Sequence, residues 1–181
     1  MRLKLIILSF FSLLLLVSCN ETENQDDLQL LTEEQRNQEK EAIISVINNY
    51  NIAMNSRDWA GLVRTLNEEV TFFGSDAGEV TKDMAAFKES IKKQWEDYPT
   101  LEYGQIQDIY IELDNYGTFA NIMFGLPLKT ISKSGINEDF FVIVQRTLKK
   151  NLVEQKWTIC SGILSIPRII SEEKTTIPAK K

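Results

Sequence analysis

From Leu101 to Ile166 the chain reads as strand runs separated by turn clusters, and three amphipathic helical segments precede that run. This order is the strongest constraint on the fold. Leu101 to Leu113 is followed by the turn cluster Asp114-Asn115-Tyr116-Gly117, and Thr118 to Thr130 reads as its antiparallel partner. Ser132 to Glu138 is a loop, Asp139 to Leu148 a strand, Lys149 to Gln155 a turn, and Lys156 to Ile166 the last strand, closed by Pro167. Helices first and a meander afterwards predict an α+β fold: three N-terminal helices packed on the concave face of a strongly curved antiparallel sheet. Gly104, Gly125 and Gly162 lie inside long strands, where glycines mark bulges and bends.

The helices carry their own signals. Thr32 and Gln35 fit a capping box. After them Ile43, Ile47, Tyr50 and Met54 recur with helical spacing, which predicts a helix of about six turns. Asn55-Ser56-Arg57-Asp58 breaks it, and Asp58 caps a short second helix bearing Trp59, Leu62, Val63 and Leu66. Val70 to Phe73 is strand-like, and Gly74 to Gly78 is a turn. A third helix runs from about Lys82 to Asp97 with Met84, Phe87, Ile91 and Trp95 as its apolar stripe, and Pro99 stops it.

Composition narrows the chemistry. The 181-residue chain has no histidine, so it lacks the side chain most used for proton transfer near neutral pH and the commonest metal ligand. No cofactor, phosphate loop, serine nucleophile elbow or metal-ligand spacing is expected. The formal charge is −6, and removing Arg2 and Lys4 with residues 1–18 would make it −8. An acidic surface repels phosphate backbones, so nucleic acid is not an expected partner.

The first residues read as an address. Arg2 and Lys4 form a short positive stretch, and Leu5 to Val17 is apolar apart from Ser9 and Ser12. That run is too short to span a bilayer comfortably, but it suits the core of a signal peptide. It ends in Leu16-Val17-Ser18-Cys19, which resembles the lipobox of bacterial lipoproteins. The resemblance implies cleavage before Cys19, acylation of that cysteine and, as consequence, a membrane as partner. Asn20 to Asp27 is polar and acidic and reads as a disordered tether. Its acidic character resembles the surface-export signals of Bacteroidetes lipoproteins, and Asn20 is not the aspartate that retains many enteric lipoproteins at the inner membrane. The expected layout is signal peptide 1–18, lipidated tether 19–31, folded domain 32–168 and polar tail 169–181, with the chain in the cell envelope, at the outer membrane or cell surface.

The folded part resembles the nuclear transport factor 2-like, or SnoaL-like, superfamily. Asn55-Ser56-Arg57-Asp58-Trp59 is similar to that family's link between its first two helices. Phe73-Gly74-Ser75-Asp76-Ala77-Gly78-Glu79 resembles a Gly-Thr-Asp-Pro-x-Glu turn, with Ala77 where proline is usual. Trp157-x-Ile159 followed by Ser165-x-Pro167 resembles the closing strand, with Ile163 where the family often has histidine. The resemblance implies a cone whose mouth accepts small apolar or amphipathic molecules, and it withholds any role that depends on that histidine. It also implies pairing through the convex sheet face, hence a possible homodimer.

Three functions follow as expectations. The first is a non-catalytic, palmitate-anchored lipoprotein that binds a small apolar ligand or a protein partner. The second is an isomerase or dehydratase that uses Asp76 or Glu79 as a base, because an apolar wall raises a carboxylate pKa. The third is a dimerisation or adaptor module. The lipid attachment residue is Cys19, and the pocket residues singled out are Trp59, Phe73, Asp76, Glu79, Trp95, Tyr103, Phe124, Gln145 and Ser161. Tyr103 and Asp108 fall on opposite faces of a regular strand, whereas Asp108 and Tyr110 share one. Period two groups Trp157, Ile159, Ser161, Ile163 and Ser165 on one face of the last strand. Arg146 is either an inward charge needing Asp76 or Glu79 as partner or a solvent-facing one, and Cys160 reads as a buried small hydrophobe.

Overall fold

The computed structural model describes residues 29–74 and 78–166. Helix α1 spans Glu33–Ser56, α2 Trp59–Val63 and α3 Met84–Asp97. The strands are β1 (Leu66–Phe73), β2 (Val80–Thr81), β3 (Thr100–Tyr103), β4 (Gln107–Leu113), β5 (Phe119–Ile131), β6 (Asn137–Asn151) and β7 (Lys156–Ser165). Leu66, expected on the second helix, instead opens β1, because that helix ends at Val63. A chain begun at Asn20 would retain all of them. No described helix is long and apolar enough to cross a membrane.

The helices start where their caps dictate. Thr32 Oγ1 accepts from the Gln35 N–H at 3.3 Å, and Gln35 Oε1 accepts from the Thr32 N–H at 2.8 Å. Asp58 and Asp83 cap α2 and α3 in the same way, accepting from the N–H groups of Gly61 and Ala86. Ile43, Ile47, Tyr50 and Met54 are all buried, so the predicted stripe of α1 is the face laid on the sheet. Each such aliphatic side chain contributes about 1.5–3 kcal/mol on burial. At the start of α1, Glu39 accepts from Lys150 Nζ of β6 and from Trp157 Nε1 of β7, both at 2.6 Å.

The sheet order is β2-β1-β7-β6-β5-β3, with β4 also paired to β5. Four features depart from the expected meander. First, the sheet is mixed, because β1 runs parallel to β7 while all the other described pairs are antiparallel. Residues 74–155 separate β1 from β7, so no tight turn fixes their relative direction. Second, the run Leu101 to Leu113 is two strands. Both lie on one edge of β5, β3 against its second half and β4 against its first. They separate where β5 carries Pro127, which has no N–H to donate, although its carbonyl still accepts from Gly104 at 2.8 Å. Third, the β4–β5 ladder is irregular between Gln107 and Tyr110, and Asp108 there takes a positive φ of 50°. Fourth, β7 holds one residue more than β6 between the pairs Leu148–Ile159 and Thr147–Ser161, a bulge at Cys160. Trp157 and Ile159 face the core before it, while Gly162 and the half-buried Leu164 take the inward positions after it. Period two therefore fails across Cys160, and Ser161 and Ile163 lie on the convex side.

Asp114 closes the β4–β5 hairpin. Burial alone would raise its pKa, but hydrogen bonds from the Thr118 side chain and from the backbones of Thr118, Phe119 and Gly117 outweigh it and lower the value.

Candidate functional site

Between the concave sheet face and α3 lies a cavity of about 740 Å³. Its deep side is aromatic. Phe72 of β1 stacks on Phe87 of α3, with centroids 4.7 Å apart, and Tyr50 of α1 stands 6.5 Å from Phe72. Leu101, Leu128, Phe140 and Leu164 add apolar wall, and the exposed residues Glu79, Glu89, Lys93 and Glu138 border the mouth.

Arg146 is the charged group at depth, only 6% exposed. Its guanidinium carbon lies 5.1 Å from the Phe72 ring centre and 5.5 Å from that of Tyr50, a cation–π arrangement on two rings. Nη1 donates to the carbonyls of Gln145 (3.0 Å) and Ile163 (3.2 Å). Residue 162, its cross-strand partner, is glycine, and a Cβ there would collide with Nη1 and lie 2.6 Å from Cδ of Arg146. Gly162 thus leaves room for the side chain, and no bulge falls on it. Gly125 does the same for the Phe141 ring on the other face. The ion pairs among the described residues are Asp58–Arg64, Glu89–Lys92, Asp97–Lys133 and Glu39–Lys150, and Arg146 belongs to none of them.

Two phenols share this interior. Burial raises the pKa of Tyr50, and the charge and hydrogen bond of Arg146 only partly offset it. Tyr103 is raised too, first by burial and then by Tyr50, with Arg146 and a hydrogen bond to Gln94 opposing. The side-chain oxygens of Thr81 and Thr130, both on the cavity lining, are buried without a hydrogen-bond partner among the described residues.

The residues singled out from sequence scatter over several environments. Phe73 and Glu79 border the cavity, both exposed. Asp76 lies outside the described residues. Trp59 is half-buried, 6.3 Å from Phe87 and beneath Lys88 Nζ. Trp95 is half-buried, with its indole N–H lacking a partner among the described residues. Phe124 is core, and Tyr103 borders a smaller pocket of about 390 Å³. Gln145 and Ser161 are half-buried on the convex side of β6 and β7. Tyr50, Phe72, Phe87 and Arg146 were not singled out as pocket residues. The alternation of Arg146 with the buried Val142, Val144 and Leu148 is the signal that could have found it. Cys160 is half-buried rather than fully buried. Its thiol faces the Thr147 carbonyl at 3.4 Å, and burial raises its pKa against the opposing charge of Lys149.

The convex face is apolar. Tyr110, Met123, Gln145, Ile163 and Phe73 follow one another across β4, β5, β6, β7 and β1, with Phe141 and Ile143 alongside. The apolar members are between 46% and 62% exposed.

The family described as SnoaL-like domain matches residues 43–168. No curated protein sequence matches the chain. Among solved structures, a hexachlorocyclohexane dehydrochlorinase from Novosphingobium barchaimii aligns with a TM-score of 0.67 at 8% identity, over 76% of this chain and 92% of its own. A nuclear transport factor 2-like protein from Salmonella enterica aligns at 0.66 and 13%, over 77% and 98%. A Mycobacterium tuberculosis protein of unknown function aligns at 0.64 and 19%, over 76% and 77%. At these identities the likeness is one of fold.

The buried phenols predict alkaline sensitivity. In the unfolded chain both titrate near their ordinary value of 10.0, whereas the fold holds them protonated. Their contribution is complete below that pH and is lost as pH rises above it. The melting temperature should fall between pH 9.5 and 11, and Tyr103→Phe should flatten the fall; equal slopes in the two proteins would refute the assignment.

Proposed function

We propose that this chain, which belongs to the SnoaL-like domain family, is a non-catalytic binding protein for a small, largely apolar molecule, held at a bacterial membrane through lipid on Cys19. The observation that carries the reading is the roughly 740 Å³ cavity walled by Tyr50, Phe72, Phe87 and Phe140. That size lies within the range of about 300–1,000 Å³ usual for small-molecule sites. The enzyme alternative leans on Asp76 or Glu79, and Glu79 is exposed at the mouth rather than sunk in the apolar wall that would tune it as a base. With no histidine anywhere in the chain, the site offers no ready proton shuttle. The fold houses a dehydrochlorinase and also the S. rosetta CaMKII hub, so the fold alone does not decide between catalysis and binding.

The test is mass spectrometry of small molecules extracted from the purified chain begun at Asn20. A stoichiometric apolar compound, absent from a variant with Phe72→Glu, is the expected result. Equal recovery from both proteins would sink the reading.

The address is proposed from sequence: signal peptide 1–18, tether 19–31 and tail 169–181 flank the domain at 32–168, with the anchor at the outer membrane or cell surface. Cys19→Ala should abolish both incorporation of labelled palmitate and cleavage before residue 19. A labelled, normally processed variant would refute the anchor.

A second reading, pairing of two copies, is favoured by the apolar convex row. Sedimentation of the chain begun at Asn20 should then give the mass of two copies, and Met123→Lys with Ile163→Lys should give one. A monomer at high micromolar concentration would count against it.

A further inference from the structure

We infer that the molecule bound in this cavity carries an anionic group, a carboxylate or a sulfonate on an apolar or aromatic body, and that Arg146 is the residue that holds that group. This rests on the ligand-binding reading above and adds the chemical class of the ligand.

The argument begins with the state of the guanidinium. A buried cation loses its hydration, and proteins usually answer with a carboxylate within reach. Arg146 is 94% removed from water, yet it enters none of the ion pairs among the described residues. Nη1 serves two backbone carbonyls, the Tyr50 hydroxyl lies beside the group, and its planar face rests on the Phe72 and Tyr50 rings. A guanidinium has five N–H donors in a fork that matches two anionic oxygens. The carbonyls, the rings and the nearby Tyr50 hydroxyl soften the cost of burial without neutralising the charge.

The site is built to keep the side chain there. Arg146 occupies an inward position on β6, and the cross-strand position that a Cβ would fill is Gly162. Thr81 and Thr130 add two buried hydroxyls on the lining without partners among the described residues, each able to donate to a ligand oxygen. Phe87, Leu128, Phe140 and Leu164 supply the apolar wall against which the rest of the ligand would lie.

The mouth opposes this charge only weakly. Glu79, Glu89 and Glu138 border it beside Lys93, and all four are exposed, so water and salt screen their field over about 8 Å; the half-buried Asp97 on the lining is paired with Lys133 at 3.7 Å. Arg146 acts in a medium of lower dielectric, where the same charge interacts more strongly. The rim slows entry of an anion more than it weakens the bound state.

The test uses two fluorescent probes with one skeleton, 1-anilinonaphthalene-8-sulfonate and the neutral N-phenyl-1-naphthylamine, titrated into the chain begun at Asn20. The wild-type protein should bind the sulfonate about tenfold or more tightly than the neutral probe, as a buried charge-assisted hydrogen bond implies. Arg146→Met should bring that ratio to about one or below, the sulfonate losing more affinity than the neutral probe. Gly162→Val keeps the cation but crowds it, and it should reduce the ratio too. Equal affinity of the two probes for the wild-type protein overturns the inference and leaves the cavity reading standing. A ratio that survives in Arg146→Met also overturns it. Failure of both probes to bind the wild-type protein overturns the ligand-binding reading itself. Should Arg146→Met not fold, the wild-type ratio and Gly162→Val still decide.

Discussion

The concave face of this sheet depends on where β7 slips by one residue against β6. Before the slip, Trp157 and Ile159 point into the core beneath α1, and Trp157 reaches the Glu39 carboxylate. After it, Gly162 and Leu164 take the inward positions, opposite Arg146 and Val144. A regular strand would send Ser161 and Ile163 inward instead, and Ser161 rather than Gly162 would stand opposite Arg146, its side chain in the space that Gly162 leaves open. One inserted residue therefore allows a dry core at one end of the sheet and a polar-lined cavity at the other, on the same face.

Around that arrangement the remaining contacts fall into two groups. Those that fix α1 on the sheet are mostly apolar, with the Glu39–Lys150–Trp157 cluster as a polar tie. Those that shape the cavity are aromatic: Trp59, Phe87, Phe72 and Tyr50 form a chain of rings from α2 to α1, with the guanidinium against its inner end. The first group closes the fold. The second leaves a volume that the described side chains do not fill.

Much of the fold was legible because its signals are local. The capping residues Thr32, Asp58 and the stripe Ile43-Ile47-Tyr50-Met54 depend only on neighbours a few residues away. The break of the Leu101–Leu113 run was not legible, because its cause is Pro127 on another strand. The parallel pairing of β1 and β7 joins residues almost a hundred positions apart, and no local pattern encodes it. The site suffered most. Gln145 and Ser161 share a strand with inward residues, and a single misassigned face moves such a side chain to the opposite surface.

The sequence by itself determined three helices before a strand-rich half, the start points of the first two, the acidic balance, the absence of histidine and the SnoaL-like resemblance that the family match upholds. Those are matters of composition and short-range periodicity. Only the tertiary structure decided that Arg146 faces inward, that Gly162 makes room for it, and that two aromatic rings from different elements hold it. Each of those facts is a relation between residues distant in sequence, and it exists only once the sheet has set its register and its bulge.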